Sequence, residues 1–327
     1  MSRLVVRAPN WVGDLSMATA VLAAAARDPR WEEVHVLLRA HLAPLLADLP
    51  FPVTVHPAAT PSQELDVLRG VDADAALLLT TSFRSAWLAW RAGVPVRAGA
   101  STGGRRALLT HAVRPATLGG RRAPTPTAHL QRDVAGLLGI EVPDLHPRLG
   151  IGPGVREAVR ARLGFEGAYV LASPGAAFGA AKLWPPERFA GALDAIAGAR
   201  GWRAVVVGTP QEQPLAQAVV AAASRPVLSI QVDLSELRAL VAEAGLLLVG
   251  DSGPRWIAAA FDVPCVSVMG PIFPQQTATS LERARVVRVE GLECAPCLER
   301  RCPLGHHRCM TELPVEPVVA AAEELLA

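Results

Sequence analysis

The sequence predicts an α/β protein built of two Rossmann-like domains, each a doubly wound parallel sheet with helices on both faces. Three observations carry this. Short apolar, β-rich runs alternate with alanine-rich helical stretches along most of the chain. The rhythm breaks once, near the middle, at a segment rich in proline and glycine. And 327 residues exceed the usual size of one hydrophobic core. Hydrophobic residues at 51% and charged residues at 19% suffice for two packed cores and argue against disorder.

In the first half, strands are expected at Leu4–Val6, Val34–Leu38, Val53–His56, Ala75–Leu79 and Val96–Ala98. Each is too short and too continuously apolar for an amphipathic helix, and reads as a strand buried on both faces. Helical stretches are expected between them at Met17–Ala26, His41–Leu49, Ser62–Arg69 and Arg84–Ala92. Pro143, Pro147 and Pro153, with Gly150, Gly152 and Gly154, mark a linker over Ile140–Gly154. The second half repeats the pattern with strands Tyr169–Ala172, Ala204–Val207, Val227–Ser229, Leu246–Val249 and Cys265–Met269. Its helices are expected near Pro186–Ala197, Pro210–Ala222, Leu234–Ala244 and Pro254–Phe261, the third opened by Asp233 with Glu236 three residues on. The expected domains are therefore 1–150 and 151–313, with a last helix over 314–327. Ligands of such sheets bind beyond the carboxyl ends of the strands, in a cleft expected between the domains.

Composition narrows the function classes. No apolar run approaches the roughly 18 residues of a membrane span. Met1–Arg7 leads straight into a strand-like run, so a secretion signal is not expected and the chain is expected in the cytoplasm with reduced thiols. Aromatic residues are only 5% and interleave with no basic stripe, which excludes a nucleic-acid module. Net charge is +2, unevenly spread: 16 Arg against 12 acids over 1–150 (+4), and 16 Arg and Lys against 18 acids over 151–327 (−2). Gly103-Gly104-Arg105-Arg106 and Gly119-Gly120-Arg121-Arg122 concentrate the excess in turns that could face an anionic acceptor or a membrane surface.

Lys182 is the single lysine among 32 basic residues. It lies in Ser173-Pro174-Gly175-Ala176-Ala177-Phe178-Gly179-Ala180-Ala181-Lys182-Leu183-Trp184-Pro185. A glycine-bearing turn after an apolar strand, with one ammonium in place of the usual guanidinium, fits a phosphate site that wants a compact point charge. Two more loops follow strands. Arg7-Ala8-Pro9-Asn10-Trp11-Val12-Gly13-Asp14 offers a carboxylate as general base or as helix N-cap. Val249-Gly250-Asp251-Ser252-Gly253-Pro254 lets backbone N–H groups approach a phosphate.

Five segments occur in order: Asn10-Trp11-Val12-Gly13-Asp14, Ser82-Phe83-Arg84-Ser85-Ala86, Pro174-Gly175-Ala176, Ala181-Lys182-Leu183-Trp184-Pro185 and Asp251-Ser252-Gly253. With them the chain resembles the ADP-heptose:lipopolysaccharide heptosyltransferases of type II, in glycosyltransferase family 9. The resemblance implies a GT-B fold and inverting transfer of heptose from ADP-heptose to the lipopolysaccharide inner core. It implies a lipid A-core acceptor held mainly by the first domain, peripheral contact with the cytoplasmic face of the inner membrane, and a last helix that packs back on the first domain.

By the same resemblance Asp14 is the catalytic base and Lys182 neutralises the departing diphosphate. Ser173, Gly175, Ala176, Asp251, Ser252 and Gly253 surround the donor, and Glu212, after Gly208-Thr209-Pro210-Gln211, is expected on the ribose hydroxyls. An aspartate beside phosphates is repelled, so Asp251 is expected on a sugar hydroxyl or on its own loop amides. Asn10, Trp11, Ser82, Arg84, Arg105 and Arg106 are expected at the acceptor. One position departs from the family pattern: Trp256 stands where a histidine is usual, and Arg255 beside it is expected to supply positive charge to the phosphates.

Cys294, Cys297, Cys302 and Cys309, interspersed with His306 and His307, have a donor set that can close on a structural zinc. Free thiols or a redox pair is the alternative. The transfer itself requires no cofactor, and assistance by a divalent ion is left open. The competing readings are a family 9 enzyme with another nucleotide-sugar and a non-catalytic metal-binding relative. A dehydrogenase is disfavoured because no Gly-x-Gly-x-x-Gly follows the first strand.

Overall fold

Both runs of alternation fold as six-stranded parallel sheets, shown by a computed structural model that describes residues 2–118 and 121–327 and leaves aside the side chains of 118, 121 and 122. Of the turn Gly119-Gly120-Arg121-Arg122, the two glycines and both arginine side chains lie outside what is described. The chain divides into two compact units, Met1–Gly150 with Gln275–Thr279, and Ile151–Pro274 with Ser280–Ala327.

The first unit contains β1 (Arg3–Arg7), α1 (Val12–Arg27), β2 (Glu33–Arg39), β3 (Thr54–Ala58), α2 (Pro61–Val71), β4 (Ala75–Leu78) and α3 (Phe83–Arg91). It continues with β5 (Val96–Ala100), β6 (His111–Val113), the two-residue strands β7 (Thr117–Leu118) and β8 (Arg121–Arg122), and α4 (Thr127–Gly136). Sheet order is β3-β2-β1-β4-β5-β6, every pair parallel. The chain thus winds outward one way from β1, then returns to β1's other side and winds the opposite way. That reversal between β1 and β4 leaves a crevice at the strands' carboxyl ends.

The second unit repeats the plan with α5 (Pro153–Leu163), β9 (Tyr169–Ser173), α6 (Pro186–Arg200), β10 (Arg203–Gly208), α7 (Gln213–Ala222), β11 (Val227–Gln231) and α8 (Leu234–Glu243). Then come β12 (Leu246–Gly250), α9 (Pro254–Ala260), β13 (Cys265–Val268), β14 (Ala284–Val287), α10 (Arg308–Thr311) and α11 (Glu316–Leu326). The order β11-β10-β9-β12-β13-β14 places its reversal between β9 and β12. Asp233 caps α8 reciprocally with Glu236, as its spacing predicts.

Local chemistry explains where element and expectation differ. Pro44 sits inside the helical stretch expected at His41–Leu49, which is a 3-10 turn over Ala40–Leu46. The helix expected from Pro210 begins as a 3-10 turn, Pro210–Glu212, before α7. The last helix is built into the second unit: Val318 and Ala322 of α11 are fully buried in that unit's core, with Trp184, Phe189, Val170 and Leu248. An apolar stripe packs where matching apolar surface lies, and here that is α6 and the β13–β14 edge. Trp184 is the largest fully buried side chain, edge-on to Phe189 at 5.1 Å, and its indole N–H donates to the Leu313 carbonyl at 3.1 Å.

Candidate active site

In the first unit, the β1/β4 crevice is a pocket of about 210 Å³ lined by Asn10, Trp11 and Asp14 after β1, by Leu78–Ser82 at and after β4, and by Gln131 of α4. Asp14 is not the N-cap of α1. Trp11 holds that position in an extended conformation, which puts the carboxylate in the first helical turn. There the helix's exposed N–H groups favour negative charge. Gln131, buried, donates Nε2–H to the Asp14 carbonyl at 2.9 Å and ties α4 to that turn.

Behind the pocket is a feature the sequence did not disclose. Arg7, at the end of β1, makes a two-point contact with Glu64 of α2 at 2.9 and 3.2 Å, both side chains only 6% exposed. A second N–H of the guanidinium reaches Asn10 Oδ1 at 3.1 Å. A paired buried guanidinium therefore anchors the loop that delivers Asp14. The two partners are 57 residues apart, so no local pattern reveals them.

The expected acceptor residues divide. Asn10, Trp11 and Ser82 line the pocket, although Ser82 also caps α3 by accepting from the Ser85 N–H. Arg84 and Arg106 are exposed and outside its lining. Arg105 requires correction. It is fully buried and donates to the carbonyls of Ala100 at 2.7 Å and Ser82 at 3.1 Å and to Ser85 Oγ at 3.1 Å. Burial draws its pKa down to about 10. It staples the start of α3 to β5 and lies outside the lining of the pocket.

In the second unit, the β9/β12 crevice brings Lys182 to Asp251. The ammonium lies 2.5 Å from Asp251 Oδ2, donates to the Asp251 carbonyl at 3.1 Å, and stands 4.6 Å from the Phe178 ring centre. Side-chain exposures of 11% and 9% make this a largely desolvated pair. An ammonium has three donors and, among the described residues, only the Asp251 carbonyl takes one as a hydrogen bond, so donor capacity remains for a ligand. Trp184, two residues on, anchors the lysine loop in the core.

Two glycines let the loop take this shape. A Cβ on Gly175 would fall 2.0 Å from Glu212 Oε1, so the turn passes directly against that carboxylate. Gly179 has φ 150°, and a Cβ there would fall 2.5 Å from the Arg300 carbonyl. Glu212 follows β10, the second strand of its unit, where a Rossmann-like sheet presents a carboxylate to a ribose. Its Oε2 already accepts from Thr209 N and Oγ1, each at 2.9 Å, while Oε1 faces the Gly175 turn.

Ser173 is buried at the end of β9, and the Ser252 hydroxyl, also buried, has no hydrogen-bond partner among the described residues. Ala176 and Gly253 lie in the two loops that flank the pair. Arg255 requires correction as a phosphate ligand. It is 2% exposed, lies 4.2 Å from the Trp256 ring, and burial lowers its pKa. Trp256 thus supports a buried arginine from within the core.

Cys294, Cys297, Cys302 and Cys309, all free thiols, line one small cavity of about 20 Å³ with His306 and His307. Burial, then the neighbouring thiols of Cys297, Cys294 and Cys302, push Cys309 up to about 11. Backbone N–H groups, that of His307 foremost, draw Cys302 down. Among the described residues no group of three or more His, Cys, Asp or Glu has an arrangement that could hold a metal ion, so no tetrahedral site is preformed. This segment instead braces the lysine loop: Ala181 N–H donates to the Arg300 carbonyl at 3.1 Å, and a His307 ring nitrogen lies 2.9 Å from the Ala181 carbonyl.

The chain is similar to known proteins in sequence and in fold. The chain is 30% identical over 161 residues to lipooligosaccharide heptosyltransferase 2 of Campylobacter jejuni, a match covering 47% of this chain and about half (50%) of that relative. It is 26% identical to lipopolysaccharide heptosyltransferase 2 of Salmonella typhimurium, covering 99% of both chains. The solved structure of E. coli ADP-heptose LPS heptosyltransferase II superimposes with a TM-score of 0.77 at 24% identity, over 100% of this chain and 98% of that one, and shows the shared two-domain GT-B fold. Residues 65–308 match the family described as glycosyltransferase family 9 (heptosyltransferase), and to that family the chain belongs.

Proposed function

We propose that this chain transfers heptose from ADP-heptose to a hydroxyl of the lipopolysaccharide inner core, with inversion at the anomeric carbon. The observation that carries the reading is the pair of strand-end sites in a family 9 chain: a carboxylate in an open pocket of the first unit, and an ammonium in a glycine-shaped loop of the second. Asp14 takes the proton from the acceptor hydroxyl as that oxygen attacks the anomeric carbon. The bond from that carbon to the diphosphate breaks on the opposite side, and ADP leaves with the bonding electrons. Lys182 and the loop amides meet the charge that develops there, and Glu212 Oε1 is placed for a ribose hydroxyl. The acceptor is a lipid A-core, so the chain works in peripheral contact with the cytoplasmic face of the inner membrane.

Calorimetry across ADP-heptose, UDP-sugars and GDP-sugars, followed by transfer assays with a heptose-deficient core acceptor, tests the reading. ADP-heptose alone is expected to bind tightly and be consumed. Preferred turnover of a UDP- or GDP-sugar would make the chain a family 9 enzyme of another donor class.

A structural metal at the four cysteines belongs to the same proposal, supported by their common cavity. Binding would draw the thiols together and so be coupled to local ordering. Metal analysis is expected to find about one zinc per chain, as four thiolates require. Metal-free protein whose melting temperature ignores added zinc would make these free thiols. A divalent ion assisting the diphosphate would appear as a turnover loss on chelation that leaves zinc content unchanged.

A further inference from the structure

Three of the five large hydrophobic side chains exposed among the described residues lie on one nine-residue helix: Phe83 (51%), Trp87 (37%) and Trp90 (52%) of α3. At about 100° per residue these three fall within roughly 60° of arc. The opposite side carries the buried Ser85, Ala86, Leu88 and Ala89. The helix therefore has two apolar faces, one against its own sheet and one turned to solvent.

The charge around the solvent face has one sign. Arg84 and Arg91, both exposed, adjoin on a single flank of the aromatic stripe, and Arg91 lies 5.4 Å from the Trp87 ring centre. Exposed Arg106 comes from the 3-10 turn packed on α3. From Ala75 to Arg132 the sequence contains no aspartate or glutamate at all. Indole rings beside guanidinium groups suit the headgroup layer of a bilayer: the ring sits at the acyl boundary and the cation among the phosphates.

We infer that the exposed face of α3 docks on an anionic lipid bilayer. Ser82, which caps the helix, also lines the Asp14 pocket, so the docking face begins at that pocket's rim. The inference rests on the peripheral membrane contact proposed above and assigns it a surface. A protein partner is disfavoured because the charge beside this face is of one sign, which suits a fluid anionic layer.

The test is co-sedimentation of the full chain with phosphatidylglycerol vesicles and, separately, with neutral phosphatidylcholine vesicles. Binding to the first, little to the second, and release by salt near 0.5 M, where charges are screened within about 5 Å, are expected. The Trp87→Ser/Trp90→Ser variant is expected to lose at least about tenfold in vesicle affinity, since burial of even one such ring is worth that much. Its turnover on a delipidated core acceptor should match the parent, which keeps failure of docking distinct from failure of the transfer chemistry. Should the double variant melt early, Trp90→Ser alone and quenching of the parent's tryptophan fluorescence by brominated lipid serve instead. Absence of phosphatidylglycerol binding, equal binding to both vesicle types, or full binding by the variants would overturn the inference. So would a dimer in light scattering that the variants abolish, which would make the face a protein contact.

Discussion

The two sheets share one strand order and one point of reversal, yet their reversal points are furnished in opposite ways. Between β1 and β4 the crevice stays open at about 210 Å³, and the ion pair that stabilises it, Arg7 with Glu64, stands behind the loop. Between β9 and β12 the charged pair, Lys182 with Asp251, stands in the crevice itself. The first arrangement keeps its ion pair out of the crevice and lines the opening with a carboxylate in the first turn of α1. The second stores a cation by giving it a carboxylate to hold until a ligand arrives. One topology therefore accommodates the base proposed on one sheet and the phosphate clamp proposed on the other, and the difference lies in a few residues at the strand ends.

The comparison breaks most sharply at Asp14. Asp14→Ala should lower turnover by about 10²–10⁴ while nucleotide affinity, read by calorimetry, stays near the parent's. Equal loss of nucleotide affinity would mean the carboxylate only shapes α1. Next in size is the core anchor beneath the clamp. Trp184→Ala should destabilise by about 3–5 kcal/mol in denaturant titration, with the second unit's melting affected first. A loss under 1 kcal/mol would show that the lysine loop does not depend on that anchor.

Lys182→Arg keeps the charge but widens it into a planar fork between Phe178 and Asp251, so turnover should fall about 10- to 100-fold with the fold intact. An arginine variant as active as the parent would reduce the lone lysine to an accident of composition. The smallest effect is predicted in the first sheet. Burial, then the charge of His35, lowers the His56 pKa below its ordinary 6.5, so the unfolded chain binds the proton more tightly. Stability should thus fall as pH drops below about 6.5, by a fraction of a kcal/mol, and His56→Gln should flatten that slope in melting curves from pH 7.5 to 5.5.

The sequence made the inner strands legible because each is a bounded apolar run that only a sheet buried on both faces explains. Edge strands β6 and β14 escaped it, since His111–Val113 and Ala284–Val287 are too short to show a period. Helices α4 and α5 escaped it too, α4 following Pro124 and Pro126 and α5 beginning at Pro153 within the segment that reads as linker. Asp14, Lys182 and Asp251 were legible as residues following strand ends, although Asp14 proves to lie in the first turn of α1. That Lys182 and Asp251 pair was not, nor was the side on which each arginine of Gly103-Gly104-Arg105-Arg106 would fall. The pattern is the same for both arginines, and only tertiary packing buries Arg105 while Arg106 meets water.

The clamp's internal pairing also acts as a filter. A simple anion such as inorganic phosphate meets an ammonium whose charge is already offset by Asp251, and that carboxylate repels it at the same point. A ligand that brings a diphosphate together with hydroxyl donors repays both sides at once, one group to the lysine and one to the aspartate. Under the proposed function the crevice is therefore expected to discriminate against small anions and in favour of a sugar joined to its phosphates.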